Sequence, residues 1–150
     1  MKILVLNGPN LNLLGLREPD IYGTVTLAEL NRRLQEYCAI RGMETEFYQS
    51  NHEGDLIDRI QAAYGVFDGI IFNPAGYTHT SVAIADAVKA VKIPTVEVHI
   101  SDPDAREEYR KISYLRPACV GTVKGKGIRG YFEAADLLSA RCGGGHGSSH

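Results

Sequence analysis

Short apolar runs of β type alternate with segments of helical period along nearly the whole chain, and this alternation constrains the fold more than any other feature. It is the pattern of a parallel sheet with helices on both faces, because each parallel strand must be reached by a crossover that packs back onto the sheet. The first run, Lys2–Asn7, has the continuous apolar character of a strand buried on both sides. The loop GPNLNLLGLREPDIYG that follows is too long for an ordinary βα turn and is marked as functional. Thr26-x-x-Glu29 is a capping box, after which Leu27, Leu30, Leu34 and Cys38 recur at helical spacing until Gly42. A strand over 45–49 and a helix carrying Leu56, Ile57, Ile60 and Tyr64, ended by Gly65, come next. The pattern then predicts strands at Gly69–Asn73, Thr95–His99 and 118–123. Helices are predicted over 81–91, from Asp102-Pro103 to Arg110, and over 128–140. The sum is a flavodoxin-like α/β fold, a doubly wound five-stranded parallel sheet with helices on both faces, in a single domain over 1–141. The Gly/Ser/His tail, 142–150, is expected to be disordered.

A length of 150 residues suffices for one core, and a formal charge of −2 argues against nucleic-acid binding, which needs a basic face. No apolar stretch approaches the roughly 20 residues of a membrane span. The N-terminus reads as a strand and not as a signal peptide, so a cytoplasmic location is expected. Cys38, Cys119 and Cys142 are widely spaced with no C-x-x-C pair; the first two read as core thiols, and none as a ligand or nucleophile.

Doubly wound folds bind ligands at the carboxyl ends of their strands, and here those ends carry the proton-handling residues. The loop after the first strand brings Asn10, Arg17 and Tyr22; the third strand ends in Asn73 before Pro74-Ala75-Gly76-Tyr77-Thr78-His79; the fourth ends in Glu97-x-His99-x-Ser101. Each has a plainer reading. Asn73 can be a turn residue, His79 part of a capping run, His99 a structural histidine, Arg17 and Tyr22 loop surface, and Asp86 a solvated helix face. Their shared edge is what favours a site.

Three other motifs compete. Gly125-x-Gly127-x-x-Gly130 matches a dinucleotide fingerprint but lies in the last unit, with no later strand to supply a ribose-binding acid; it reads as a tight turn and a close helix–sheet contact. His79, Asp86, Glu97 and His99 lack a recognised metal-ligand spacing, so no metal is expected. A serine nucleophile elbow, G-x-S-x-G, is absent from the sequence.

Three blocks carry a family resemblance. Asn7-Gly8-Pro9-Asn10-Leu11-Asn12-Leu13-Leu14-Gly15 with Arg17-Glu18-Pro19 and Ile21-Tyr22-Gly23 resembles the opening of the type II 3-dehydroquinate dehydratases. Asn73-Pro74 to Tyr77-Thr78-His79-Thr80-Ser81 with Asp86, and Glu97-Val98-His99-Ile100-Ser101 with Arg106-Glu107-Glu108 and Arg110, are similar to that family too. The resemblance spans Met1 to about Leu138. It implies a flavodoxin-like subunit in a dodecamer built from trimers, and loss of water from 3-dehydroquinate to give 3-dehydroshikimate through an enolate, with no metal, Schiff base or other cofactor. It implies Tyr22 as base with Arg17 lowering its pKa, His99 as acid oriented by Glu97, and Asn10 holding the water that stabilises the enolate. Asn73, His79, Asp86, Arg110 and the Ile100–Ser101 backbone would grip the substrate, Asp86 across a subunit contact. The departures are small: the family's turn after Asn73 more often reads Pro-Gly-Ala than Pro74-Ala75-Gly76, and the stretches around Arg116 and Lys124 are less usual. Whether the activity serves aromatic biosynthesis or quinate breakdown is left open. The alternatives are a flavodoxin-like nucleotide or flavin carrier and a non-catalytic scaffold of the same fold.

Overall fold

The computed structural model describes residues 1–16 and 24–148, with side chains described as far as Cys142. Strands β1 (Lys2–Asn7), β2 (Glu44–Gln49), β3 (Gly69–Asn73), β4 (Thr95–His99) and β5 (Gly121–Lys124) pair in parallel in the order β2-β1-β3-β4-β5. This is the flavodoxin-like order, whose switch point lies between β1 and β3. The helices are α1 (Leu27–Ile40), α2 (Glu53–Ala62), α3 (Val82–Val91) and α4 (Arg129–Ser148).

Period-2 alternation sends successive side chains of each interior strand to opposite faces. Ile3 and Val5 pack with Ile71, Val96 and Val98 against Leu30 and Leu34 of α1 and Tyr131 and Leu138 of α4. Leu4 and Leu6 pack with Ile70 and Phe72 against Leu56 and Ile60 of α2 and Ile84 and Val88 of α3. Both faces are closed, which is why β1 is apolar at consecutive positions; Leu4→Ala in such a site costs about 2–5 kcal/mol. Burial raises the Cys38 thiol to about 11 and the Cys119 thiol to about 12, so both are inert at neutral pH.

The local signals are met with adjustments. Thr26 Oγ1 accepts the Glu29 N–H at 3.2 Å, but the Glu29 carboxylate turns to Arg33 at 2.7 Å, so only half of the capping box forms. Tyr64 lies beyond α2 and is exposed; Ala63 and Phe67 take the core positions instead. The predicted helix from 102 to 110 is two 3-10 turns, Pro103–Ala105 and Glu108–Lys111, because Arg106 is extended between them. The last strand starts at Gly121 and not at 118, since Arg116–Ala118 is itself a 3-10 turn held by the Ala118 N–H to the Leu115 carbonyl. Helix α4 extends past residue 140 to Ser148, into the stretch expected to be a disordered tail. Its apolar face ends at Leu138. No helix among the described residues is long and apolar enough to cross a membrane.

Candidate active site

The carboxyl ends of β1, β3 and β4 surround one cavity, at the switch point of the sheet. Pro9, Asn10 and Leu11 line it from β1; Asn73, Ala75, Gly76 and His79 from β3; His99, Ile100 and Ser101 from β4. Pro103, Arg106 and Arg110 close it from the 3-10 turns. Gly8 lets the first two walls meet: its N–H donates to the Asn73 carbonyl at 2.8 Å, and a Cβ there would fall 2.5 Å from the Pro74 oxygen.

Glu97 and His99 stand two apart on β4 and therefore share a face. His99 Nε2 lies 2.5 Å from Glu97 Oε2. The same oxygen accepts the Thr78 hydroxyl at 2.6 Å and the Ser113 hydroxyl at 2.9 Å, and the two hydroxyls are themselves 2.7 Å apart. Glu97 is fully buried and His99 nearly so. Burial alone would raise the Glu97 carboxyl; the hydrogen bonds from His99, Thr78 and Ser113 overcome it and hold the group below the usual carboxylate range. An ionised Glu97 fixes the tautomer of His99, with Nε2–H toward the carboxylate and Nδ1 left as the exchangeable nitrogen.

His79 faces the cavity from the other side. Its Nδ1 is 2.6 Å from the Ile112 carbonyl, which can only accept, so Nδ1 donates and Nε2 is an acceptor. Desolvation lowers the pKa of His79, opposed by the Ile112 hydrogen bond and reinforced by His99 and Arg110, so the ring is neutral at pH 7. The segment 99–101 is braced from behind by a turn: Gly125 N–H reaches the Ser101 carbonyl at 3.1 Å and Gly127 N–H the Ile100 carbonyl at 3.0 Å. Gly125 and Gly127 both have positive φ, and a Cβ on Gly130 would sit 3.4 Å from Val98 and Val123. The glycine motif is thus a turn and a close contact, as its position in the last unit predicts. Lys124 is held by Asp104, with Asp102 at 4.0 Å, and does not line the cavity.

Of the residues expected from sequence, Asn10, Asn73, His79, His99, Ile100, Ser101 and Arg110 converge on this cavity, and Glu97 backs His99. Asp86 lies on the exposed face of α3 and does not enter the cavity of its own subunit. Arg17 and Tyr22 lie outside the described residues. Arg106, in the third block, went unassigned although it lines the cavity. Thr78 and Ser113 were missed as partners of Glu97, and Asn7 and Tyr131 as partners of Asn73: Tyr131 Oη donates to Asn7 Oδ1 at 2.5 Å and accepts from Asn73 Nδ2 at 2.9 Å. Ser113 and Tyr131 carry no local signal, since their partners are far away in sequence. Among the described residues no cluster of His, Cys, Asp and Glu could hold a metal ion.

A family profile described as "Dehydroquinase class II" matches residues 1–139. The 3-dehydroquinate dehydratase of Corynebacterium glutamicum is 56% identical over 138 residues, covering 92% of this chain and 95% of that protein. That of Campylobacter hominis is 53% identical over 131 residues, 87% of this chain and 84% of that protein. The crystal structure of type II dehydroquinase from Butyrivibrio crossotus superposes with a TM-score of 0.91 at 52% identity, covering 93% of this chain and 97% of that chain. The profile, the relatives and the superposed structure agree over nearly the whole chain, which therefore belongs to the class II dehydroquinase family.

Proposed function

We propose that this chain is a hydro-lyase that converts 3-dehydroquinate to 3-dehydroshikimate by trans elimination of water through an enolate. The observation that carries the acid half is the His99–Glu97 pair, 2.5 Å apart in a buried setting at the cavity wall. Tyr22 takes the proton next to the ketone, and Arg17 lowers its pKa by about 1–3 units from an ordinary value near ~10. The electron pair is held as the enolate, stabilised by a water positioned by Asn10. His99, protonated on both ring nitrogens with Nε2–H held by Glu97, then delivers its Nδ1 proton to the departing hydroxyl; water leaves, the ring becomes neutral, and the carbon–carbon double bond forms in conjugation with the ketone. Neutral His79 presents an acceptor to a substrate hydroxyl, while Arg110, Asn73 and the Ile100–Ser101 backbone meet the remaining oxygens. Asp86 completes the site of a neighbouring subunit in a dodecamer built from trimers, which its exposure on α3 permits. The catalytic domain spans 1–141. Neither metal nor cofactor takes part, and the enzyme acts in the cytoplasm on aromatic biosynthesis or quinate breakdown.

The test is turnover of 3-dehydroquinate in metal-free buffer with chelator, followed by the ultraviolet absorbance of the conjugated product. Wild type turns over unimpaired by chelator or borohydride, and Tyr22→Phe and His99→Ala each lower kcat by about 10²–10⁴. Full activity in folded Tyr22→Phe removes tyrosine from the mechanism, and no turnover by the wild type removes the function.

A further inference from the structure

Asn73 ends β3 at the cavity and is 3% exposed. Its side-chain amide has two ends, and the protein commits both. Oδ1 accepts the Ala75 N–H at 3.1 Å, and Nδ2 donates to Tyr131 Oη at 2.9 Å. The Tyr131 hydroxyl has a single proton, which it gives to Asn7 Oδ1 at 2.5 Å, so toward Asn73 it can only accept. Two independent bonds, one from a backbone donor and one to a hydroxyl acceptor, therefore dictate the same amide orientation. What Asn73 has left is the second Nδ2 hydrogen, a donor, and the second lone pair of the Oδ1 that already faces the Ala75 N–H. Tyr131 and Asn7 are themselves closed off, at 0% and 1% exposure, and do not line the cavity. They join the ends of β1 and β3 to α4 across 124 and 58 residues of chain.

We propose that Tyr131 and Asn7 are positioning residues that help hold the Asn73 amide in one orientation, so that its free Nδ2 hydrogen meets an acceptor oxygen of the substrate at this point of the cavity. The assignment rests on the reading, proposed above, that Asn73 touches substrate. Without the relay the Ala75 N–H alone holds the amide, and a turned amide would offer oxygen to oxygen. The relay therefore acts on substrate affinity more than on proton transfer, which the other wall of the cavity performs.

The experiment is a double-mutant cycle in the full-length enzyme acting on 3-dehydroquinate. It compares Asn73→Ala, Tyr131→Phe and the pair, with thermal unfolding measured on each. Asn73→Ala is expected to raise KM about tenfold, and Tyr131→Phe several-fold, with kcat changed less than KM. The pair is expected to be no worse in KM than Asn73→Ala alone, because Tyr131 acts through Asn73. Asn7→Leu is expected to raise KM as well with the phenol still in place, since the hydroxyl is then no longer obliged to accept. If Tyr131→Phe does not fold, Asn7→Leu with Asn73→Ala runs the same cycle. A lowered unfolding temperature with unchanged KM in Tyr131→Phe and Asn7→Leu overturns the positioning role, as do KM effects that multiply in the pair. If Asn73→Ala itself leaves KM unchanged, the reading that Asn73 grips substrate falls, and the relay's role falls with it.

Discussion

Two buried polar networks flank the same cavity, and they are built on opposite principles. On one wall a carboxylate, Glu97, gathers His99, Thr78 and Ser113 onto one oxygen. On the other, Asn7, Tyr131 and Asn73 form a neutral relay, Asn73 donating to the Tyr131 oxygen and Tyr131 donating to Asn7. A buried charge must be compensated by several donors at once, so its network is strong, tied to pH and intolerant of losing its centre. A neutral relay costs less to bury and instead fixes direction. Proton transfer is best placed beside the first, and recognition of shape and polarity beside the second.

That contrast can be broken by experiment. The largest effect belongs to Glu97→Ala, which leaves three donors without their acceptor. It is expected to cost about 3–5 kcal/mol in denaturant unfolding and to lower kcat by about 10²–10⁴. A loss under 1 kcal/mol would show that the carboxylate is not the centre of its network. Next comes Ser113→Ala, at about 1.5–3 kcal/mol for a hydrogen bond to a charged group. The folded pKa of Glu97 lies below its ordinary 4.5, so the stability it contributes is full above that pH and is lost as pH falls through the folded value. The Ser113→Ala deficit should therefore be constant near neutral pH and shrink on acidification, as read from urea titrations across that window. Tyr131→Phe should cost about 1–3 kcal/mol and, unlike Ser113→Ala, should not shrink on acidification, because burial pushes the Tyr131 phenol up and its partners do not titrate. A deficit that follows pH in both variants erases the distinction between the networks. The smallest effect is at Ala75, a residue other than glycine with φ of 53°. Relief of the left-handed conformation, partly offset by extra freedom in the unfolded chain, makes Ala75→Gly stabilising by about 0.5–1 kcal/mol in the same titration.

The sequence disclosed the charged wall better than the neutral one. Glu97 and His99 sit two apart at a strand end, so an ordinary strand rule aligns them on one face. Thr78 lay inside a legible motif, yet its bond to Glu97 depends on how β3 and β4 register. Ser113 occupies a stretch with no period, and nothing local pairs it with Glu97. Tyr131 fits the apolar stripe of α4 and reads as core; only the folded sheet shows its hydroxyl between two asparagines. Strands buried on both faces were legible because consecutive apolar residues have no other place to go. Less legible were the segments 102–110 and 116–123, where short 3-10 turns mimic helix and strand signals. The shift of glycine from 75 to 76 was visible, but that Ala75 itself takes the left-handed conformation was not.

The reach of Tyr131 bears on the order in which the site can be completed during synthesis. Domains form from the N-terminus as the chain emerges, at roughly 5–20 residues per second. When Arg110 has emerged, every described cavity-lining residue is already present, along with β1 through β4. The hydroxyl that orders Asn73 arrives later, on the helix that also covers one face of the sheet. A nascent or truncated chain that stops short of α4 would hold the lining of the pocket without its alignment. Docking of the final helix thus closes the core and completes the hydrogen bonding of Asn73 in the same event, so a chain with that amide fully bonded is also one whose sheet is no longer open to water or to other nascent chains.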